Sequence, residues 1–246
     1  MGTGCADLLH KLNPLPRLAP HVRSVEGQRG PERRPLVGLH QAVQDRGAAD
    51  VKAGDAKYIN RLVSAWKAMP TRFARGLTDE ELHQCEQKFG FVFPPDLLEC
   101  LRAAMPIGAG FPNWRRGTVK FHGRPTTLSE VFDWPITGML FDVENNGFWH
   151  RRFGRCPRAA KRREELVRRE MATVPKLIPL FGHRYLPASP CQARNPVFSV
   201  YQTDVIYYGE NLLRYLSQEF EHSRRRLDAS KIRRIEFWSD VVDGER

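Results

Sequence analysis

Long hydrophobic runs and internal repeats are both missing from this chain of 246 residues. No segment reaches the roughly 20 consecutive apolar residues that a membrane-spanning helix needs, so we expect no such helix. The leucine pair at positions 8 and 9 is followed by Lys11, Pro14 and Pro16, which break the run before the apolar core of a signal peptide is reached. These absences predict a cytoplasmic protein.

Cysteine is scarce, odd in number and scattered, with no C-x-x-C pair and no zinc-type ligand spacing. A disulfide framework is therefore not expected. The cysteines are Cys5, Cys85, Cys100, Cys156 and Cys191.

Aromatic residues are absent from residues 1–53, which are rich in Pro, Gly, Arg and Ala. We expect this extension to be disordered, because it has little apolar surface whose burial would offset the entropy cost of ordering. The composition of this extension also fits a stretch that lies upstream of the natural start codon. Residues 54–246 are predicted to form a single domain, in keeping with a prior of about 150 residues per domain.

Charge is the strongest compositional bias. Thirty-nine Lys and Arg against 28 Asp and Glu give 39 − 28 = +11, which favours nonspecific attraction to polyanions. The hydrophobic share of 41% and the charged share of 27% are typical of a globular protein.

Helical patterns come first along the predicted domain, and short β-type runs come later. Such grouping predicts an α+β fold rather than repeated βαβ units. One helix starts at a capping box of Thr78 and Glu81. The predicted helices span about 56–69, 78–90, 94–105, 158–172 and 212–220. The predicted strands span 118–122, 138–143, 177–181, 196–202, 205–208 and 232–238.

A catalytic interpretation takes Cys191 as nucleophile, His183 as base and Asp204 as the group that orients the base. No cysteine-protease signature surrounds Cys191, so a structural cysteine and a hydrogen-bonded histidine are favoured. We therefore predict that the protein is not an enzyme.

A metal site would bring several histidines together with Asp142 or Asp204. The sequence has no H-E-x-x-H pattern and no carboxylate pair at a recognisable spacing, which favours ordinary imidazoles. No metal and no cofactor are expected. The histidines in question are His122, His150, His183 and His222.

Nine cations fall between Arg151 and Arg169, enough to neutralise several phosphates. Glu164 lies four residues before Arg168, and Glu165 lies four before Arg169. This order favours ion pairs along a helix. A solvated or protein-binding face is therefore favoured, and nucleic-acid binding stays the alternative.

Several aromatic residues lie in loop-like stretches, where they are either anchors of a protein interface or plugs at the ends of the sheet. The sequence leaves these two alternatives open. Trp149, beside the basic stretch, is the best candidate for an anchor. The set is Phe111, Trp114, Trp134, Phe148 and Trp149.

Two blocks of the sequence resemble a known family. The first holds Gly76-Leu77-Thr78-Asp79-Glu80-Glu81-Leu82, Glu86, Gly90, Pro94-Pro95-Asp96 and Leu101, and the second holds 178–187, 195–209 and 212–220. On these residues the chain resembles the cell-wall-assembly-regulator family of the SUKH superfamily, in its bacterial form. One departure is Met105-Pro106-Ile107-Gly108, which stands where that family commonly has Asn-Gly.

The resemblance implies N-terminal helices followed by a twisted, mainly antiparallel sheet and a C-terminal helix, without catalytic residues. It also implies a protein-interaction module, because bacterial relatives are often immunity proteins that bind and neutralise toxins. The expected partner is therefore a protein, such as a toxin. Binding to a membrane is not expected.

Strand alternation leads to an expectation for four of the residues that would contact this partner. Tyr207 and Tyr208 alternate across a strand, so one is expected to face the core and the other the surface. His183 and Arg184 point to opposite sides if the strand continues through them. The exposed member of each pair is expected to share a groove with Asp204. The predicted partner-binding residues are Trp149, Arg151, Arg152, His183, Arg184, Asp204, Tyr207 and Tyr208.

Overall fold

The computed structural model describes residues 53–244 apart from His122 and Arg224. The disorder predicted for residues 1–53 therefore concerns a segment that lies, except for Ala53, outside the described residues. The helices are α1 (Ala53–Lys67), α2 (Asp79–Phe89), α3 (Pro95–Ala103), α4 (Leu128–Asn145), α5 (Ala160–Met171), α6 (Leu212–Phe220) and α7 (Trp238–Val242). The strands are β1 (Arg72–Arg75), β2 (Ala104–Ile107), β3 (Thr118–Phe121), β4 (Arg124–Thr127), β5 (Leu177–Phe181), β6 (Arg184–Pro187), β7 (Val197–Tyr201) and β8 (Asp204–Gly209).

The α+β class is confirmed. Strands β5, β6, β7 and β8 form an antiparallel four-stranded sheet in chain order, and β1–β2 and β3–β4 form two separate antiparallel pairs. Among the described residues, no helix combines the length and the apolar character that crossing a membrane requires.

Local signals place the early helices where the sequence predicts them. The Thr78 hydroxyl accepts from the Glu81 amide at 3.2 Å, and the Thr78 amide donates to the Glu81 carboxylate at 2.9 Å, which completes the capping box of α2. Gly90 ends that helix in the left-handed region, at φ 65°. In α1, Leu62 and Trp66 are buried, and the Trp66 indole donates to the Ala104 carbonyl at 2.8 Å.

The two faces of the four-stranded sheet are covered by different helices. Tyr185 and Phe198 are cross-strand partners, and the Tyr185 hydroxyl donates to the Val131 carbonyl of α4 at 3.3 Å. The opposite face carries Arg184, which reaches Glu219 of α6. The sheet therefore lies between α4 and α6, with β8 at one edge.

Two predicted strands are wrong. Residues 138–143 belong to α4, which begins at a second capping box between Thr127 and Glu130. Met139 and Val143 are buried four residues apart, which is helical spacing. Residues 232–237 form no strand, and α7 begins at Trp238.

Four strands are absent from the prediction, namely β1, β2, β4 and β6. Each has four residues, and β1 pairs with β2 across a long separation in sequence, with Arg72 opposite Ile107. The helix predicted for 158–172 is confirmed as α5, with Val167 and Met171 buried.

Candidate partner-binding surface

Exposed large hydrophobic side chains gather around the hairpin that joins β7 and β8. In the described part of the chain they are Phe141, Tyr201 and Ile206, with exposed fractions of 37%, 40% and 50%. Tyr201 ends β7, and Ile206 lies in β8. Phe141 lies on α4, the helix that holds the tip of the hairpin.

Tyr201 and Ile206 lie on the same face of the sheet. Tyr201 is the cross-strand partner of Asp204, and Asp204 and Ile206 are two residues apart in β8. Residues directly opposite each other share a face, as do residues two apart in one strand. We call Tyr201, Asp204 and Ile206 the hairpin surface. Covering it would remove two large apolar side chains from water.

A buried carboxylate fixes the tip of the hairpin. Asp142, 4% exposed, accepts hydrogen bonds from the Thr203 amide at 2.9 Å and from the Thr203 hydroxyl at 2.5 Å. Its other oxygen accepts from the Asn146 side chain at 2.5 Å. The tip is therefore anchored to the C-terminal end of α4.

Close backbone packing adds a second anchor. A Cβ atom on Gly138 would lie 2.9 Å from the Gln202 Cα atom, so only glycine permits this approach. Gln202 itself has a positive φ of 55°, which an L-residue adopts at some cost in strain. The tip is thus held in one conformation by α4.

The outer edge of β8 lacks a backbone partner at Val205 but is not open to solvent there. The Val200 amide donates to the His183 carbonyl at 3.0 Å, so the Val200 backbone faces away from β8. Its cross-strand partner Val205 must then direct its own backbone groups away from β7. Within residues 53–244, no backbone hydrogen bond from another segment reaches Val205. Val205 as a whole is only 4% exposed, so other parts of the fold cover this part of the edge and leave no room for an additional strand.

Arg184 is enclosed by the fold instead of lying on a partner surface. Its guanidinium donates to Glu219 at 3.0 Å and to the Ser199 hydroxyl at 2.8 Å. It also lies 3.6 Å from the centre of the Tyr208 ring. The Arg184 side chain is only 13% exposed.

His183 does not lie on the side of the sheet opposite Arg184. Strand β5 ends at Phe181 and β6 begins at Arg184, so the strand does not continue through His183. The His183 ring contacts the Arg184 guanidinium directly. The two side chains therefore lie together, against the prediction.

Tyr207 and Tyr208 do not divide into a core residue and a surface residue. Both are half-buried. Tyr207 donates to the Ser239 hydroxyl at 2.6 Å and stacks on Phe198. Tyr208 lies beneath Arg184. Both faces of β8 are covered at this end, which overturns the prediction.

Trp149, Arg151 and Arg152 contact other parts of the fold. The Trp149 indole donates to the Gly154 carbonyl at 2.7 Å. Arg152 pairs with Glu236 at 2.5 Å, and Arg151 pairs with Asp240 at 3.4 Å. The two arginines therefore bind the C-terminal segment around α7, and no hydrogen bond in the described part of the chain joins them to Asp204.

The aromatic residues in loop-like stretches separate into two groups. Phe111, Trp114 and Phe148 are buried and therefore belong to the core. Trp134 and Trp149 are half-buried and pack against that core. The anchor interpretation is therefore wrong for the three buried residues.

No arrangement of the described residues supports the catalytic or the metal interpretation. The Cys191 thiol donates to the Phe93 carbonyl at 3.6 Å, and between residues 53 and 244 no hydrogen bond joins Cys191, His183 and Asp204. His122 lies outside the described residues. The remaining His, Cys, Asp and Glu that are described form no group of three that could hold a metal ion.

Ion pairs in the basic stretch are partly as predicted. Glu164 and Arg168 pair at 2.9 Å, which confirms one predicted pair. The pair between Glu165 and Arg169 is wrong, because Arg169 binds the adjacent Glu170 at 2.9 Å.

Burial of the His183 ring leads to a pH prediction. Burial, followed by the charge of Arg184, lowers the pKa of His183 to about 4. In the unfolded chain its pKa is about 6.5, so between these values the unfolded state binds more protons. His183 therefore lowers the free energy of unfolding as the pH falls from about 6.5 to about 4.

Nuclear magnetic resonance of the His183 ring tests this directly. We expect no titration of the ring above pH ~5, and His183→Gln should remove this part of the pH dependence. A site-specific readout is needed because burial also raises the pKa of Asp96 to about 6, with the opposite effect on stability. A His183 midpoint near 6.5 would contradict the described burial.

Comparison with family models, curated proteins and solved structures finds no match to this chain. The candidate surface therefore depends on its own geometry. Of the predicted partner-binding residues, Asp204 is exposed and belongs to the hairpin surface. Sequence reasoning missed Tyr201 and Ile206, and it considered Asp142 only as a metal ligand. The apolar run in β8 marks a strand, but no local signal shows which of its faces stays uncovered.

Proposed function

We propose that this chain is a non-enzymatic protein-binding module that acts as an immunity protein by covering a toxin with the hairpin surface. The observation that carries the proposal is the exposure of Tyr201 and Ile206 on one face of the β7–β8 hairpin. The sequence resemblance to the SUKH superfamily supports this class of function.

The chemistry of the hairpin surface suits a protein partner. Tyrosine supplies a large, stiff contact area and is enriched among the residues that dominate binding energy. A net charge of +11 favours encounter with an acidic protein.

Rigidity of the hairpin tip reduces the cost of binding. Asp142 and Gly138 hold the tip before any partner arrives, so little conformational entropy remains to be lost there. A preformed surface of this kind is consistent with tight, stoichiometric binding.

Calorimetric titration tests the proposal. Each protein encoded beside the gene for this chain is purified and titrated into it, and one should bind with 1:1 stoichiometry. The double variant Tyr201→Ser, Ile206→Ser should weaken that complex by at least about 30-fold, because the loss of even one residue that dominates binding energy costs about 2 kcal/mol. Phe141→Ser is the matched control, since Phe141 has a similar exposed fraction but lies on α4.

Three results would contradict the proposal. The first is that none of the neighbouring proteins binds. The second is a complex that tolerates the double variant but not Phe141→Ser. The third is multiple-turnover product formation by the chain, abolished by a point change that leaves the fold intact.

A further inference from the structure

Four cations before and within the first turn of α5 have no ion-pair partner among the described residues, and all four are exposed. Five of the nine cations of the basic stretch are neutralised by acids of this chain. The unpaired four are Arg155, Arg158, Lys161 and Arg162. We call them the basic patch.

Arg163 organises the patch without contributing a free charge. Its guanidinium donates to the Arg158 carbonyl at 2.8 Å and to the Pro157 carbonyl at 3.3 Å. The same group binds the Glu144 carboxylate through two hydrogen bonds, at 2.6 and 3.0 Å. The loop before α5 is thus tied to the first turn of the helix, and both are tied to α4.

The position of the patch does not serve stability. Lys161 and Arg162 lie in the first turn of α5, where positive charge opposes the helix dipole. Two nearby acids do not compensate, because Glu164 is committed to Arg168 and Glu170 to Arg169. Glu165 lies one turn after Lys161 and forms no ion pair with a described residue.

The composition of the patch favours one class of partner. Protein interfaces rely on apolar and aromatic side chains at their centre, and residues 155–162 expose no large hydrophobic side chain. A nucleic acid offers a dense row of phosphates and needs no apolar contact. We propose that the basic patch binds the phosphate backbone of nucleic acid without sequence preference, as an activity additional to protein binding by the hairpin surface.

Fluorescence anisotropy with the full chain tests this. The probes are a 20-nucleotide single-stranded RNA and a 20-base-pair DNA duplex, between 50 and 200 mM salt. The variant Arg155→Gln, Arg158→Gln, Lys161→Gln, Arg162→Gln should reduce the slope of log affinity against log salt by about 3, since each lost phosphate contact removes roughly 0.7 to 0.9.

The matched control removes the same charge from α1 and β1, through Lys57→Gln, Arg61→Gln, Lys67→Gln and Arg72→Gln, all of which are exposed. It should change the slope by less than about 1. Both variants replace surface side chains, and circular dichroism checks that they fold.

Three outcomes would overturn the proposal. These are an absence of binding at 50 mM salt, equal slopes for the two variants, and competition by polyglutamate as strong as competition by nucleic acid. The last outcome would assign the patch to an acidic protein instead. None of them bears on the calorimetric test of the hairpin surface, so the two proposals fail separately.

Discussion

Gly76→Ala should lower the free energy of unfolding by more than about 3 kcal/mol, a large fraction of the 5–15 kcal/mol typical of a domain. A Cβ atom at this position would lie 1.7 Å from the Arg102 carbonyl oxygen. That oxygen belongs to the backbone near the end of α3, so no side-chain rotation can relieve the contact.

The backbone around Gly76 has little freedom to move away. The Gly76 carbonyl accepts from the Arg115 guanidinium at 2.7 Å, and the next amide, that of Leu77, donates to the Leu101 carbonyl at 2.8 Å. Arg115 is itself held by two hydrogen bonds to Glu81, at 2.7 and 3.0 Å. Side-chain hydrogen bonding, above all from Arg115, lowers the pKa of Glu81 to about 2.

Urea denaturation measures this effect, with Gly147→Ala as the control. Gly147 has a positive φ of 67° but open space where its Cβ would stand, so its substitution isolates the backbone strain, about 1–2 kcal/mol. If Gly76→Ala costs no more than Gly147→Ala at equal denaturant slope, the described crossing of Gly76 and α3 is wrong.

Asp142→Ala should cost about 2–3 kcal/mol and release the tip of the hairpin. The change removes three hydrogen bonds to a buried carboxylate and leaves the Thr203 amide without its acceptor. Hydrogen exchange at Gln202 and Thr203 should become faster, while amides in β5 and β6 keep their relative protection.

Asp142→Asn is the control for the second prediction. The asparagine side chain keeps the shape of the aspartate and supplies one oxygen that accepts from Thr203. The effect of this variant on stability and on exchange should therefore be smaller. Equal exchange at the tip in the parent protein and in Asp142→Ala would show that α4 does not fix the hairpin.

Short-range chemistry made the helices predictable. The capping box of Thr78 and Glu81 needs residues only three apart, and the apolar faces of α1 and α6 repeat at helical spacing. The strands β5, β7 and β8 were also found, because turn residues separate short apolar runs. In these segments local preference and the final fold agree.

The errors of the prediction have two different causes. The apolar run 138–143 fits a buried strand or a buried helix equally well, and the local capping box of Thr127 and Glu130, which the prediction overlooked, resolves the choice in favour of α4. By contrast, tertiary packing decides that Ile206 is exposed and Tyr208 half-buried, although both belong to the same apolar run and face the same way. The difference arises because Arg184 and α6 cover Tyr208, an arrangement that sequence spacing does not contain.

Amide hydrogen exchange on the complex with the neighbour-encoded protein is the most direct test of how this chain functions. Binding should slow exchange in the segment from Tyr201 to Ile206, because the partner covers the exposed hairpin surface. Unchanged exchange in that segment, with protection elsewhere in the domain, would contradict the assignment of the hairpin as the binding surface.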